Sequence, residues 1–219
     1  MSTINIFCIV GKTGSGKSKY YNSLIKNNGF LKTYNIVPLV YGTTRSKRPG
    51  EVEGVDYYYH TETEFSKIDD KDMIEFRSYH TLNDGLIYYF TKTEYFKTDN
   101  NVISITSPYQ YECYRTWCMN ENIKYPNKYK LHMILIDTKV ETRILRVLER
   151  ANNDDDIYEL CRRVVEERVE FDQVSKRLPE LMDPILSDNV CFVGNNKNGR
   201  VAVNANLDRI KSFIANSID

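Results

Sequence analysis

The chain has little that would tie it to an oxidising compartment, a metal cage or a membrane. Its 219 residues include five cysteines, Cys8, Cys113, Cys118, Cys161 and Cys191. They are odd in number, scattered, and none forms a C-x-x-C pair, which favours free thiols in a reducing compartment over a disulfide framework. The three histidines, His60, His80 and His132, lie too far apart for a zinc pattern. Neither sign of charge is in excess: 30 Lys plus Arg balance 30 Asp plus Glu. No broad attraction to nucleic acid or to an anionic membrane follows from that balance. Long apolar runs are also missing. The run Ile4 to Val10 is too short for a signal-peptide core or a membrane span. A cytoplasmic protein with no nucleic-acid or membrane partner is expected, working as a monomer or homodimer.

What is present is ordinary in bulk and unusual in detail. Hydrophobic content of 41% and charge of 27% suit one globular domain with insertions. Tyrosine is abundant at 17 residues, many of them between Tyr41 and Tyr114. Flat apolar rings that each carry one hydroxyl suit a wet, polar cleft.

The N-terminal segment Gly11-Lys12-Thr13-Gly14-Ser15-Gly16-Lys17-Ser18 matches G-x-x-x-x-G-K-[ST] at every fixed position. It follows the apolar run and precedes a helical stretch ending near Asn27-Asn28-Gly29. Glycines let backbone N–H groups turn toward an anion, and the positive end of the next helix adds to the field. Gly11, Thr13, Gly14, Ser15, Gly16, Lys17 and Ser18 are therefore the candidate nucleotide-phosphate ligands. Lys17 reaches the outer phosphates, and the Ser18 hydroxyl is the candidate Mg²⁺ ligand.

Further along, Asn35 to Tyr41 reads as a strand weakened by Pro38. The polar, tyrosine-rich stretch from Thr43 to about Thr91 reads as an insertion. Within it, Thr61 and Glu64 form a capping box. Strands return at Asn101–Ile105 and His132–Ile136. Thr138 and Glu141 read as a second capping box, opening a helix through Arg150; that helix start explains Asp137 without a metal role. A long helix is expected from about Ile157 to Leu178, a strand at Asn189–Val193 and a final helix at Leu207–Ile214. Strands alternating with helices imply an α/β fold with a mainly parallel sheet. Tyr109 to Lys130 has mixed signals and stays unassigned.

The stretch Thr43-Thr44-Arg45-Ser46-Lys47-Arg48-Pro49-Gly50-Glu51-Val52-Glu53-Gly54-Val55-Asp56-Tyr57 places two guanidinium forks in one short segment. Such forks hold a phosphate dianion from several directions, and Tyr57 adds a hydroxyl. This segment resembles the T-T-R-x-x-R-x-G-E-x-x-G-x-D-Y pattern of the guanylate kinase family at each fixed position. Met73-Ile74-Glu75-Phe76 is similar to the family segment whose glutamate reads guanine. Tyr88-Tyr89-Phe90-Thr91 is similar to the family's Y-Y-G-[ST], which touches the acceptor phosphate. Arg146, Arg150 and either Arg162 or Arg163 resemble the arginines of its mobile lid; Arg163 is taken as the candidate.

The resemblance implies a phosphate-loop NTPase-type parallel sheet flanked by helices, with an inserted mixed α/β acceptor-binding subdomain and a helical lid. The whole chain, residues 1–219, would be one such domain. Its core would be residues 1–41 and 98–219, its insertion 42–97 and its lid about 146–164. The implied reaction moves the γ-phosphoryl group of ATP to GMP or dGMP with Mg²⁺. Lys17, Arg45, Arg146, Arg150 and Arg163 would be catalytic. Tyr41, Arg45, Arg48, Tyr57, Glu75, Tyr89, Thr91 and Thr106 would line the acceptor site.

The match has gaps. The family's D-x-D becomes Ser104-Ile105-Thr106, and Tyr41 stands where the family has a base-touching serine. Phe90 replaces a glycine, and Asn152-Asn153-Asp154-Asp155-Asp156 replaces the usual lid turn. Thr91 and Glu94 also read as a capping box, a competing role for Thr91. Glu75 is expected to accept two hydrogen bonds from guanine, through N1–H and the exocyclic amine.

Overall fold

A computed structural model describes residues 2–81, 85–96, 98–149, 190–195 and 200–218, together with 151, 154, 157, 158, 161–165, 167, 168, 171 and 172. The elements are β1 (Ile4–Gly11), α1 (Lys17–Ile25), α2 (Asn28–Thr33), β2 (Ile36–Pro38), β3 (Tyr41–Thr43), β4 (Tyr57–Tyr59), α3 (Glu62–Phe65), β5 (Met73–Thr81), β6 (Gly85–Lys92), β7 (Asn101–Ile105), α4 (Pro108–Lys124), β8 (Tyr129–Asp137), α5 (Val140–Leu148), β9 (Val190–Gly194) and a C-terminal helix, Arg200–Ile218.

Five strands form a parallel sheet in the order β2-β7-β1-β8-β9. Every residue of β1 is buried, Asn5 included, as a mainly apolar run requires of a central strand covered on both faces. Alternation divides the strand between two cores. Ile6, Cys8 and Val10 pack on one side with Tyr111, Tyr114 and Cys118 of α4. Phe7 and Ile9 pack on the other with Tyr20 and Leu24 of α1 and with Ile210 and Ile214. This is the expected α/β architecture of a parallel sheet flanked by helices.

A second sheet, ordered β4-β3-β6-β5, mixes one parallel pair with two antiparallel pairs. It is built from the polar, tyrosine-rich stretch. A Cβ at Gly42 would meet the Phe90 ring at 2.3 Å, so the glycine makes room for the aromatic residue standing where the family pattern has glycine.

Several boundaries differ from the sequence reading. Asn27 does not close one helix; its side chain accepts from the Phe30 N–H and opens α2. The strand read over Asn35 to Tyr41 breaks after Pro38, and Tyr41 begins a strand of the other sheet. Thr61–Glu64 forms its capping box. Thr138–Glu141 does not: Lys139 is the N-cap of α5, and the Thr138 hydroxyl donates to the Ser15 and Asn195 carbonyls. Thr91 does not cap a helix either, because its hydroxyl is spent on Glu75. The unassigned stretch is α4, started by a Ser107–Gln110 capping box with Pro108 in its first turn. The helix expected over Ile157–Leu178 lies partly outside the described residues. All five cysteines are free; Cys8, Cys118 and Cys191 are buried and Cys161 is exposed. Among the described residues no helix is long and apolar enough to cross a membrane.

Candidate active site

The phosphate loop leaves the C-terminal end of β1, the edge of a parallel sheet where ligands of open α/β folds bind. Gly11 admits no side chain: a Cβ would lie 2.7 Å from the Ile136 carbonyl. Gly14 and Gly16 have φ of +76° and +101°, the left-handed region that turns successive N–H groups toward one concavity. The Ser15 carbonyl accepts from Thr138 Oγ1 (3.1 Å) and Asn195 Nδ2 (2.7 Å), and the Ser15 N–H bonds the Lys12 carbonyl (3.0 Å). The loop is thus held from behind by β8, β9 and their connections.

Lys17 Nζ turns back onto the Gly11 and Lys12 carbonyls. Ser18 is exposed in the first turn of α1. Both faces of the Thr13 peptide are engaged by charged residues. Arg143 Nη1 donates to the Thr13 carbonyl at 3.1 Å. Both oxygens of Glu167 accept from the Thr13 N–H, at 2.9 and 2.8 Å. Arg146 donates to the Asn195 carbonyl at 3.2 Å and reaches toward the Gly14 carbonyl. Burial pulls the Arg143 guanidinium below its ordinary pKa, against the opposing pull of Glu167 and Asp137. Arg163 is exposed on helical residues 161–165, and Arg150 lies outside the described residues.

A second cluster is built on β3, β4 and β6. Tyr41 pairs with Tyr57, and Thr43 pairs with Tyr89. Arg45 is 4% exposed. Its Nε donates to Tyr89 Oη at 3.1 Å, Nη1 to the Ser46 carbonyl at 2.7 Å and Nη2 to Glu51 Oε1 at 2.7 Å. The guanidinium carbon lies 5.3 Å from the Tyr57 ring centroid. Glu51 also accepts from the Arg48 N–H and the Tyr59 hydroxyl. Arg45 first, then those two donors, bring its carboxyl down to about 2. The Arg48 side chain is exposed at the rim.

The remaining predicted residues converge between the two sheets. Glu75 is 3% exposed and is the one buried carboxylate among the described residues. Its Oε1 accepts from Thr91 Oγ1 (2.6 Å) and Gln110 Nε2 (3.0 Å). Arg77 Nε stands 3.4 Å from Oε2. Tyr41 Oη donates to the Ile105 carbonyl at 2.8 Å, tying the second sheet to the first. Thr106 and Ser104 pair with each other through their hydroxyls at 2.8 Å. Thr91 and Thr106 are therefore engaged inside this cluster, Thr91 with Glu75 rather than in the Arg45 cluster.

Sequence reasoning missed Arg77, Gln110, Glu51, Arg143, Glu167 and Asn195. The Ser107-Pro108-x-Gln110 capping signal was available for Gln110, and Arg143 lies one helical turn before Arg146. Glu167 and Asn195 reach the loop only through tertiary folding. Among the described residues no group of three or more His, Cys, Asp or Glu forms a metal cage.

The chain is similar to known proteins over part of its length. The family model described as guanylate kinase matches residues 3–94. A guanylate kinase of Haemophilus influenzae is 36% identical over 33% of this chain and 34% of its own length. One from Blochmanniella floridana is 42% identical over 30% of each. The chain spans about a third of the length of such relatives. A guanylate kinase of Mycoplasma genitalium is 26% identical over 77% of this chain and 65% of its own length. The crystal structure of guanylate kinase from Anaplasma phagocytophilum shares the fold, with a TM-score of 0.51 at 17% identity over 99% of this chain and 87% of that one. The complete phosphate loop and the Thr43–Tyr57 segment both lie within residues 3–94, the stretch that the guanylate kinase model matches, and they are set on a fold shared with a guanylate kinase structure.

Proposed function

We propose that the protein is a nucleoside monophosphate kinase that transfers the γ-phosphoryl group of ATP to GMP or dGMP. One observation carries this reading: a complete phosphate loop and a buried, pre-ordered Arg45 fork occur on one chain. Phosphoryl transfer asks little covalent chemistry of a protein. It needs two polyanions held in line with their charge neutralised.

The loop amides from Gly11 to Ser18 and Lys17 would hold the donor phosphates. Lys17 now bonds carbonyls of its own loop and would swing to the nucleotide when phosphate displaces them. Arg45, with Tyr57, Tyr89 and Arg48 around it, would hold the acceptor phosphate. Glu51 keeps Arg45 aimed before substrate arrives, so little reorganisation is needed. Residues 42–97 are read as the acceptor-binding insertion and about 146–164 as the lid. Arg146, Arg150 and Arg163 would close over the transferring group and exclude water.

The residues present fit Mg²⁺ held mainly by the nucleotide. Ser18 offers one exposed hydroxyl in the first turn of α1 that would hold the ion. Asp137 ends β8 one residue beyond Ile136, the partner of Gly11, with an exposed side chain able to bond a water. Bound there, Mg²⁺ would neutralise the bridging phosphates. A cytoplasmic location and a monomeric or dimeric state accord with this role.

The test is ADP release with Mg-ATP across nucleoside monophosphates. Turnover with GMP, abolished in Lys17→Ala while circular dichroism is unchanged, supports the assignment. No turnover with any monophosphate rejects it.

A further inference from the structure

We propose that Glu75, with Arg77 beside it, reads the carbonyl-plus-N–H edge of a 6-oxopurine and is indifferent to the 2-amino group, so that IMP is a substrate comparable with GMP. This rests on the acceptor-site reading above and narrows it to a substrate class.

The two carboxylate oxygens of Glu75 stand in different surroundings. Reading both N1–H and the 2-amino group of guanine takes both carboxylate oxygens, one for each. Here Oε1 is already occupied. Gln110 is oriented by its own capping box, since its Oε1 accepts from the Ser107 N–H at 3.1 Å. Its amide N–H₂ is thereby directed at Glu75 Oε1. Thr91 adds a second donor at 2.6 Å. Thr91 spends its one proton there, so the Tyr114 hydroxyl, 2.9 Å away, donates to Thr91 in turn. Thr91, Gln110 and Tyr114 are all buried, so solvent does not compete for these bonds. Two lone pairs of Oε1 meet two donors, and that oxygen is saturated.

Oε2 differs. It is buried and has no hydrogen-bond partner among the described residues. An open acceptor in such a place is costly unless something fills it. Its neighbour is the Arg77 guanidinium, whose Nε is 3.4 Å away and whose side chain is 27% exposed. Nη1 makes only a long contact, 3.5 Å, to Tyr79. Glu75 therefore keeps one unfilled acceptor beside one cationic fork. The complement is an N–H donor beside a carbonyl, the N1–H and O6 edge shared by guanine and hypoxanthine. Adenine presents the reverse pattern: its N1 lone pair would face Oε2 and its 6-amino group would face Arg77.

Among the described residues no second carboxylate is buried beside Glu75 to take a 2-amino group; the Thr106 and Ser104 hydroxyls bond each other, and Tyr41 donates to the Ile105 carbonyl.

The experiment compares GMP, IMP and AMP with the full chain in the ADP-release assay, and in calorimetric titrations that need no turnover. IMP is expected within about tenfold of GMP in kcat/KM and in affinity, since no buried group is left unpaired by loss of the amine. AMP is expected at least about 10³-fold lower, since its pattern leaves buried polar groups unpaired. IMP more than about 100-fold below GMP in either measurement overturns the proposal, while GMP turnover leaves the kinase reading standing. Absence of turnover with GMP binding intact overturns the kinase reading alone; absence of binding by both nucleotides overturns both. Gln110→Leu supplies a second readout. Freeing Oε1 should raise the GMP-to-IMP ratio several-fold, a change that simple loss of packing would not produce; an unchanged ratio in a folded variant counts against the proposal.

Discussion

Glu167 holds the Thr13 backbone N–H with both of its carboxylate oxygens, at 2.9 and 2.8 Å. An internal anion thus occupies one donor of the loop that is to receive a nucleotide's phosphates. Arg143 holds the carbonyl of the same residue, so the loop and the helical residues around 167 are joined through Thr13.

Removing that anion should favour ATP. Glu167→Gln keeps the shape and lowers the strength of the contact, since charge-assisted bonds are about twice as strong as neutral ones. With about 1.5–3 kcal/mol at stake in a hydrogen bond to a charged group, KM for ATP should fall about three- to tenfold. Steady-state kinetics against ATP at saturating acceptor measures it. An unchanged or raised KM would mean that the carboxylate does not compete with phosphate.

Gly14 should tolerate no side chain. Its φ of +76° costs an L-residue about 1–2 kcal/mol, and a Cβ would lie 2.5 Å from the Arg143 carbonyl, which is backbone and cannot step aside. Gly14→Ala should lower the unfolding free energy in urea by about that amount or more and raise KM for ATP. Wild-type values for both would show that the loop relaxes freely.

Arg45→Lys should keep the charge and lose the fork. Three directed bonds, to Tyr89, Ser46 and Glu51, cannot be made by one ammonium in the same geometry. A fall of about 10- to 100-fold in kcat/KM for the acceptor is expected, with KM for ATP little changed. The partner carboxyl sets an acid limit. Glu51 falls from 4.5 to about 2 in the fold, so its stabilising effect is complete above about pH 4.5 and lost as pH drops toward 2. In Glu51→Gln the thermal unfolding curve should lose part of its acid dependence in that window.

His132 should dominate the milder acid range. It is buried, stacked on Phe7 at 4.7 Å, and burial lowers it from 6.5 to about 3. The unfolded chain therefore binds a proton between pH 6.5 and 3 that the folded chain refuses. Stability from this residue is complete above pH 6.5 and declines as pH falls, by about 1.4 kcal/mol per unit. Nε2 bonds Asn5 Oδ1 at 2.8 Å; Asn5 is oriented by its own donation to Asn101, so the imidazole is neutral with its proton on Nε2. His132→Gln should flatten the stability profile between pH 6.5 and 5 by about one proton. An unaltered slope would place the acid sensitivity elsewhere.

The fold was legible where the pattern was local. The β1 run, the loop glycines and Thr61–Glu64 each carry their structure in a few adjacent residues. Thr138–Glu141 and Thr91–Glu94 carry the same capping spelling, yet their hydroxyls are drawn away by Ser15 and Glu75 from distant parts of the chain. Spacing cannot register that competition, because the rival partner is supplied by tertiary packing. The site divides likewise. Arg45 and Tyr57 belong to one segment and were found together. Arg77 and Gln110 meet at Glu75 only because β5 lies against α4, and Glu167 meets Thr13 across 154 positions.

The cysteine distribution has a practical consequence. Cys8, Cys118 and Cys191 are buried, and burial raises the pKa of each thiol and of the half-buried Cys113. Cys161 is exposed, six residues before the carboxylate that grips the loop. A maleimide fluorophore should couple there first, giving the unmutated protein a single optical reporter whose emission follows nucleotide arrival in real time.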